Sequence, residues 1–304
     1  MNLPPSETPL AAPGGLQPAC VLSFNANDPC GAGGLAADIT TIATIGGYPA
    51  PVATGILVRD SSAVLAHHAL SAELVAEQAA AVLEDLPVRA IKLGFAANTD
   101  NLAAVAAIAS DYDSLPLIVH MPDLPWCTSE EIDDYHDAMS ELVLPLASVL
   151  VGNHSTLWRW LLPQHDSARS PSARDLAAAA QQHGTPYVLV TGMPQPDAVL
   201  DNQLASAETV IASHKVARLP GRFIGCGDTL SAALCALLAS GCSLEQAVPE
   251  ALAYLDASLG AALHLGMGHA IPDRMYWAEP GDDAPDDDTS SSASLDLTRD
   301  DTTH

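Results

Sequence analysis

Short apolar runs alternate with alanine-rich helical patterns along most of this chain, and that alternation limits the folds it can adopt. The strand-like runs are 20–25, 51–58, 88–93, 115–120, 147–151 and 186–191, and helical patterns lie between them near 33–46, 72–85, 99–111, 129–142 and 172–183. Parallel strands joined by right-handed helical crossovers need cover on both faces. The pattern therefore predicts an α/β fold with a mostly parallel sheet, whose ligands bind beyond the carboxyl ends of the strands.

Composition narrows the classes of partner. The 304 residues are 48% apolar, which is ample for a large core, and 37 acidic side chains against 11 basic ones give a formal charge of −26. Such an excess of negative charge argues against nucleic acid or an anionic membrane as a partner. We found neither a run of 18 apolar residues nor a basic and apolar leader, so we expect a cytoplasmic protein with no membrane span.

The two ends of the chain differ from its body. Residues 1–17 are rich in proline and glycine, and residues 279–304 are rich in aspartate, serine and threonine. Segments of this kind bury too little apolar surface to offset the entropy of ordering, so we expect both to be disordered. This leaves one folded domain over 18–278. Its six cysteines show no Cys-x-x-Cys spacing, which favours reduced thiols over a zinc site.

The segment Gly225-Cys226-Gly227-Asp228 stands where an apolar helix begins. Glycines there can turn backbone N–H groups toward one point, and the helix N-terminus adds a positive dipole end, so the segment predicts an anion hole at 225–227. Asp228 beside that anion would be a base that accepts the proton of an attacking alcohol. We do not expect Cys226 to be a catalytic thiol, because its side chain need not point inward.

Four ordered blocks of sequence, at 22–38, 90–95, 144–153 and 225–233, resemble the hydroxymethylpyrimidine/phosphomethylpyrimidine kinases of thiamine biosynthesis. The first, Leu-Ser-Phe-Asn-Ala-Asn-Asp-Pro-Cys-Gly-Ala-Gly-Gly-Leu-Ala-Ala-Asp, is similar to the family's Ala-Gly-x-Asp-Pro-Ser-Gly-Gly-Ala-Gly-Ile-Gln-Ala-Asp. The last, Gly-Cys-Gly-Asp-Thr-Leu-Ser-Ala-Ala, is similar to its Gly-Thr-Gly-Cys-Thr-Leu-Ser-Ala-Ala. The resemblance covers residues 20–277 and implies a ribokinase-like three-layer α/β/α sandwich.

The same resemblance implies roles for individual residues. Residues at substrate-contacting positions are Ala26, Asp38, Arg59 and Phe95. On the nucleotide side, Asn153 and Thr191 occupy the family's positions, and ATP and Mg²⁺ are the implied cofactors. Members are commonly dimers, so a homodimer is expected.

Several positions depart from the family's pattern. Asp228 replaces a cysteine, as in relatives that phosphorylate ribose or pyridoxal. The other replacements are Arg59 for Gln, Phe95 for Met, His120 for Asp, Thr156 for Glu and Thr191 for Lys. Two carboxylates that would help to organise Mg²⁺ are thus missing, and Asp123 is the candidate to replace them.

We therefore expect phosphorylation of 4-amino-5-hydroxymethyl-2-methylpyrimidine, its monophosphate, or both, by Mg-ATP. One alternative is a pyridoxal or pyridoxine kinase, which Asp228 favours and the opening at 22–38 disfavours. Another is a catalytically impaired homologue that binds a pyrimidine or nucleotide, which the substitutions at 59, 120, 156 and 191 keep open.

Overall fold

The computed structural model describes residues 17–163 and 170–278, and its strands form a single nine-stranded sheet. The strands are β1 (Cys20–Asn27), β2 (Tyr48–Arg59), β3 (Val64–Ala69), β4 (Val88–Leu93), β5 (Leu117–His120), β6 (Val149–Asn153), β7 (Tyr187–Gln195), β8 (Val199–Ala205) and β9 (Val210–Ala217). The α-helices are α1 (Gly34–Thr44), α2 (Ala72–Asp85), α3 (Thr99–Asp111), α4 (Ser129–Ala138), α5 (His154–Leu161), α6 (Ala173–Gln182), α7 (Cys226–Ala239) and α8 (Leu244–Gly260).

The centre of the sheet is parallel and its edges are antiparallel. The strand order is β3-β2-β1-β4-β5-β6-β7-β8-β9, and all neighbours from β2 to β7 pair in parallel. At one edge β3 pairs antiparallel with β2, and at the other β8 and β9 extend the sheet from β7 as antiparallel strands. The parallel strands therefore all end on the same side of the sheet. The strand order reverses its direction between β1 and β4.

Helices cover both faces of the sheet. Because successive side chains of a strand point to opposite faces, Phe24 and Leu93 enter one apolar cluster with α2, α3, α5 and α6, while Val21 and Ile118 enter a second with α1, α7 and α8. This arrangement confirms the predicted three-layer α/β/α sandwich.

Two helix starts have capping-box spacing in the sequence, Thr128 with Glu131 and Ser243 with Gln246. In the structure Thr128 caps α4 in a reciprocal capping box with Glu131, and at the start of α8 the Gln246 side chain accepts the backbone N–H of Ser243 at 3.3 Å. The six predicted strands and five predicted helices correspond to β1, β2, β4 to β7 and to α1 to α4 and α6. Strands β3, β8 and β9 and helix α5 were not predicted.

The predicted disordered ends fall almost wholly on residues 1–16 and 279–304, which lie outside the described residues. Within the described ranges, no helix is long and apolar enough to cross a membrane. The six cysteines all lie there, and each is a free thiol.

Candidate active site

The start of α7 lies beside the carboxyl ends of β1 and of β4 to β7. Gly225 is the N-cap residue of α7 and has a φ of 80°, in the left-handed region that favours glycine. A Cβ atom at this position would also collide with the carbonyl oxygen of Ala32. Gly225 thus gives the turn predicted from the sequence, and no larger residue fits there.

Position 227 requires glycine for a different reason from the one predicted. Its φ is not positive, so it does not need glycine's backbone freedom. Instead, the His120 ring packs so closely on Gly227 that an added Cβ would overlap its Nε2 atom. The expectation that both glycines turn the backbone is therefore correct for Gly225 only, and Gly227 makes room for an imidazole.

Asp228 lies in the first turn of α7, and both of its carboxylate oxygens are engaged. Oδ2 accepts a hydrogen bond from the backbone N–H of Gly34 at 2.9 Å. Oδ1 accepts from Asn25 Nδ2 at 2.9 Å and Lys92 Nζ at 2.8 Å, and lies 3.4 Å from His120 Nδ1. The side chain retains 15% exposure and borders a cavity, so it is both fixed and reachable.

Lys92 and Asp38 form a buried ion pair behind Asp228. Lys92 Nζ lies 2.7 Å and 3.0 Å from the two oxygens of Asp38, and both side chains are fully buried. Asp38 also accepts hydrogen bonds from Ser23 Oγ at 2.6 Å and Asn25 Nδ2 at 3.0 Å. One ammonium therefore pairs with two carboxylates, of which Asp38 is fully buried and Asp228 borders a cavity, and pairing with hydrogen bonds is the condition under which buried charge is tolerated.

This pairing changes the proton affinities of all three groups. Burial alone would raise the pKa of Asp228, but Lys92 and His120 outweigh it and hold that pKa well below its usual range. Burial raises the pKa of Asp38 despite Lys92. For Lys92 the two carboxylates outweigh burial and raise the pKa. Asp228 is thus a carboxylate, and Lys92 an ammonium, at neutral pH.

Asn25 links this network to the neighbouring backbone. Its Oδ1 atom accepts the N–H groups of Ala26 and Phe95, each at 3.0 Å, while its amide donates to the two carboxylates. Its hydrogen-bonding capacity is therefore used by two carboxylates and two backbone segments.

A third carboxylate, Asp28, shapes the loop before α1. It accepts the backbone N–H groups of Cys30 and Gly33, each at 2.8 Å, and lies 3.3 Å from Arg59 Nη1. The loop is joined to α7 by the buried Arg274, which donates to the carbonyl oxygens of Gly31 and Ala32 and to Thr229 Oγ1. The glycine loop and the anion hole are therefore held as one unit.

Two adjoining cavities meet at this point. The larger, of about 770 Å³, lies on the side of Asp28, Arg59 and Asp228, and the smaller, of about 290 Å³, lies on the side of Thr156 and Thr191. Residues that border both are His120, Asp123, Asn153, Phe223, Gly225 and Gly227. A group held at the glycine turn is accessible from either cavity, which is what transfer between two ligands requires.

Most of the predicted site residues border these cavities. Arg59 and Phe95 line the larger one, Cys226 and Thr191 line the smaller one, and Asn153 lines both. Ala26 and Asp38 line neither, and each is almost fully buried. Asp38 has both oxygens occupied by Lys92, Ser23 and Asn25, so it supports Asp228 from behind and does not face a cavity. Contact of Ala26 and Asp38 with the substrate stays a prediction.

Cys226 belongs to the predicted anion hole, and Asp123 is the candidate magnesium ligand. Burial raises the pKa of the Cys226 thiol to about 11, so the group is a neutral thiol at neutral pH. Asp123 is 59% exposed, and its Oδ1 accepts from Arg159 Nη2 at 2.9 Å. Among the described residues, no group of three or more His, Cys, Asp or Glu side chains could hold a metal ion.

Sequence reasoning missed four residues of the site: Lys92, Asn25, Asp28 and Arg274. Lys92 gave a signal, since a lysine between the apolar residues Ile91 and Leu93 of a buried strand has to find a buried partner. Asn25 and Asp28 lie within the 22–38 block that carried the resemblance, yet nothing local shows that Asn25 reaches Asp228, 203 positions away. Arg274 gave no signal, because its partners are backbone carbonyls on a distant loop and the hydroxyl of Thr229, 45 positions away.

Comparison with known proteins identifies the class of this protein as a small-molecule kinase. A family model described as phosphomethylpyrimidine kinase matches residues 28–273, so the chain belongs to that family. A hydroxymethylpyrimidine/phosphomethylpyrimidine kinase of Mycobacterium leprae is 30% identical over 270 residues, which are 85% of this chain and 95% of the relative. The resemblance noted in the sequence is thereby confirmed.

Solved structures show the same fold. An ADP complex of Bacillus subtilis pyridoxal kinase matches with a TM-score of 0.77 at 19% identity, covering 87% of this chain and 100% of the other. A phosphomethylpyrimidine kinase from Clostridium difficile matches with a TM-score of 0.62 at 22% identity, covering 78% and 99%.

Proposed function

We propose that this protein transfers the γ-phosphoryl group of ATP to 4-amino-5-hydroxymethyl-2-methylpyrimidine, to its monophosphate, or to both. The observation that carries the proposal is the position of Asp228 and the glycine turn at the junction of two cavities, in a chain of the phosphomethylpyrimidine kinase family. The smaller cavity would take the nucleotide, and the larger would take the pyrimidine.

For an alcohol acceptor, Asp228 takes the hydroxyl proton while the oxygen attacks the γ-phosphorus. The bond from that phosphorus to the bridging oxygen breaks, and its electron pair leaves with ADP. The N–H groups at the start of α7 stabilise the charge on the transferring group. Because Lys92 and His120 hold the pKa of Asp228 low, this base is always ionised at neutral pH but has a weak affinity for the proton.

Magnesium would be held chiefly by the phosphates of the nucleotide, since Mg²⁺ commonly keeps several waters and takes only one or two protein carboxylates. Asp123 is the carboxylate that borders both cavities, and it would need to exchange Arg159 for the ion. The ion would neutralise charge on the transferring phosphoryl group.

The proposal is tested by ATP turnover with three acceptors: the pyrimidine alcohol, its monophosphate and pyridoxal. We expect turnover with a pyrimidine, dependent on Mg²⁺, at a kcat/KM well above that for pyridoxal. A preference for pyridoxal would instead identify the protein as a pyridoxal or pyridoxine kinase, the alternative that Asp228 favours. Pyrimidine binding by calorimetry without turnover under any condition would identify the impaired homologue. Dimerisation and a cytoplasmic location stay predictions.

A further inference from the structure

The larger cavity holds an unusual concentration of positive charge for so acidic a protein. Nine of the eleven Lys and Arg residues lie in the described ranges. Three of these nine line the larger cavity: Arg59, Arg218 and Arg222. Two more form hydrogen bonds to its surroundings, Lys92 to Asp228 and Arg274 to the glycine loop. In a chain with a formal charge of −26, more than half of the described cations thus converge on one site.

The carboxylates of this cavity do not balance all of these cations. Asp28 pairs with Arg59 at 3.3 Å, and Asp228 pairs with Lys92 at 2.8 Å. Asp123 pairs with Arg159 at 2.9 Å.

Arg274 has no carboxylate partner in the described residues, but it donates to two backbone carbonyl oxygens and to Thr229 Oγ1. Arg218 and Arg222 remain. Both are exposed, and among the described residues neither side chain has a salt-bridge or hydrogen-bond partner. Two guanidinium groups at one cavity without a protein anion form a site suited to an anionic ligand, since arginine is the preferred partner of phosphate.

The position of the two arginines distinguishes between the two sources of phosphate. Arg218 and Arg222 border the larger cavity and not the smaller one, so they lie on the acceptor side of the glycine turn. We infer that they form an anion subsite for a phosphate already carried by the acceptor, which makes this chain selective for the pyrimidine monophosphate over the free alcohol. This inference rests on the proposed function.

The chemistry of the second transfer suits this site. An ionised oxygen of the acceptor phosphate attacks the γ-phosphorus, the bond to the bridging oxygen breaks, and its electron pair leaves with ADP. No proton has to be removed, so a carboxylate of low proton affinity such as Asp228 is no handicap. The reaction instead requires that the repulsion between two phosphates be reduced, and the positive charges of two arginines reduce it. An earlier phosphorylation of the alcohol must provide the substrate.

The test is steady-state kinetics of the full chain with both pyrimidines, for the unaltered protein and for Arg218→Gln, Arg222→Gln and the double variant. Arg89→Gln, on the exposed start of β4, is the matched control. We expect the unaltered protein to prefer the monophosphate by about tenfold or more. Each site variant should lower kcat/KM for the monophosphate by about 10- to 100-fold and leave the alcohol within about threefold, as for loss of a hydrogen bond to a charged group.

Two results would overturn the inference. Equal losses with both acceptors, or a matching rise in KM for ATP, would assign the arginines to the nucleotide or to general structure. Equal kcat/KM values for the two pyrimidines in the unaltered protein would remove the selectivity. Absence of any turnover in the unaltered protein would instead contradict the proposed function, and calorimetry with the monophosphate would then test the subsite alone, by comparing the unaltered protein with the double variant.

Discussion

The two cavities that meet at the glycine turn are lined by different kinds of side chain. The larger one is bordered by three carboxylates and three arginines, and behind it lies the buried network of Asp38, Lys92 and Asn25. The smaller one is bordered mainly by glycines, apolar side chains, Asn153 and two threonines, and its titratable groups are His120, Asp123 and Cys226. Charge is therefore concentrated on the acceptor side.

The positions that depart from the family's pattern follow the same division. His120, Thr156 and Thr191 stand in place of an aspartate, a glutamate and a lysine. Thr156 and Thr191 line the smaller cavity only, and His120 borders both cavities. The larger cavity has instead gained a charge, since Arg59 replaces a glutamine. This contrast predicts that the chain has kept strong acceptor recognition and catalysis while its hold on the nucleotide has weakened.

The largest expected effect comes from Asp228→Asn, which removes the base and keeps its size. With the alcohol as acceptor, turnover should fall by about 10²–10⁴ with little change in KM, because a proton acceptor is lost only from the transition state. With the monophosphate, whose attacking oxygen is already ionised, the fall should be smaller. Stability should change little, because Lys92 and Asp38 remain a balanced pair.

Side-by-side kinetics with the two acceptors and a thermal melt would check this. Near-normal alcohol turnover together with a slightly lower Tm would mean that Asp228 only stabilises the start of α7, an effect of about 0.3–1 kcal/mol.

The second expected effect is on the network behind the base. Lys92→Met would leave two buried carboxylates without their ammonium, so the free energy of unfolding should fall by about 3–5 kcal/mol. The pKa of Asp228 should rise, because Lys92 is the main group that lowers it. Since the base works only when ionised, the acid limb of the pH–rate profile for the alcohol should move to higher pH.

Asp38→Asn combined with Lys92→Met provides the control for this network. The double variant removes one charge of each sign, so it should be less destabilised than Lys92→Met alone, as denaturant unfolding would reveal. Additive losses from the two single changes would indicate that the pair is not coupled.

The sequence predicted the central sheet more fully than its edges. Apolar runs such as 88–93 coincide with buried parallel strands, since burial on both faces leaves a strong local signal. Strand β9 is half exposed and includes Ser213, His214 and Lys215, so its apolar content is diluted, and α5 is an eight-residue helix. Asp228 and the glycine turn were predictable as a local motif, but their partners Asn25 and Lys92 depend on contacts between distant strands.

A smaller effect is expected where the two cavities touch. Gly227→Ala would place a methyl group against the His120 ring and displace it from Asp228. We expect a loss of about 1–3 kcal/mol in stability, as for overpacking, and weaker phosphate-dependent binding of ATP. Adding His120→Ala should restore most of the stability, because the overlap is removed. A Gly227→Ala variant with unchanged ATP affinity would argue against an anion hole at 225–227.

The smallest expected effect is a gain on the nucleotide side. Thr191→Lys would restore the cation that the family has at this position, next to a cavity with few charges of its own. Among the described residues, the Thr191 side chain makes a single long hydrogen bond, from its Oγ1 to the carbonyl oxygen of Gly152 at 3.3 Å, so little is lost by replacing it. A flexible, partly exposed ammonium should lower KM for ATP by about two- to tenfold and leave KM for the pyrimidine unchanged.

Thr191→Met, of similar length without the charge, is the control and should leave KM for ATP unimproved. The gain should also shrink as salt is raised, because the Debye length falls from about 10 Å at 0.1 M to about 3 Å at 1 M. If both variants improved ATP binding equally, added contact area and not charge would be the cause. If neither did, the smaller cavity would not be short of positive charge, and the contrast between the two cavities would have no consequence for nucleotide binding.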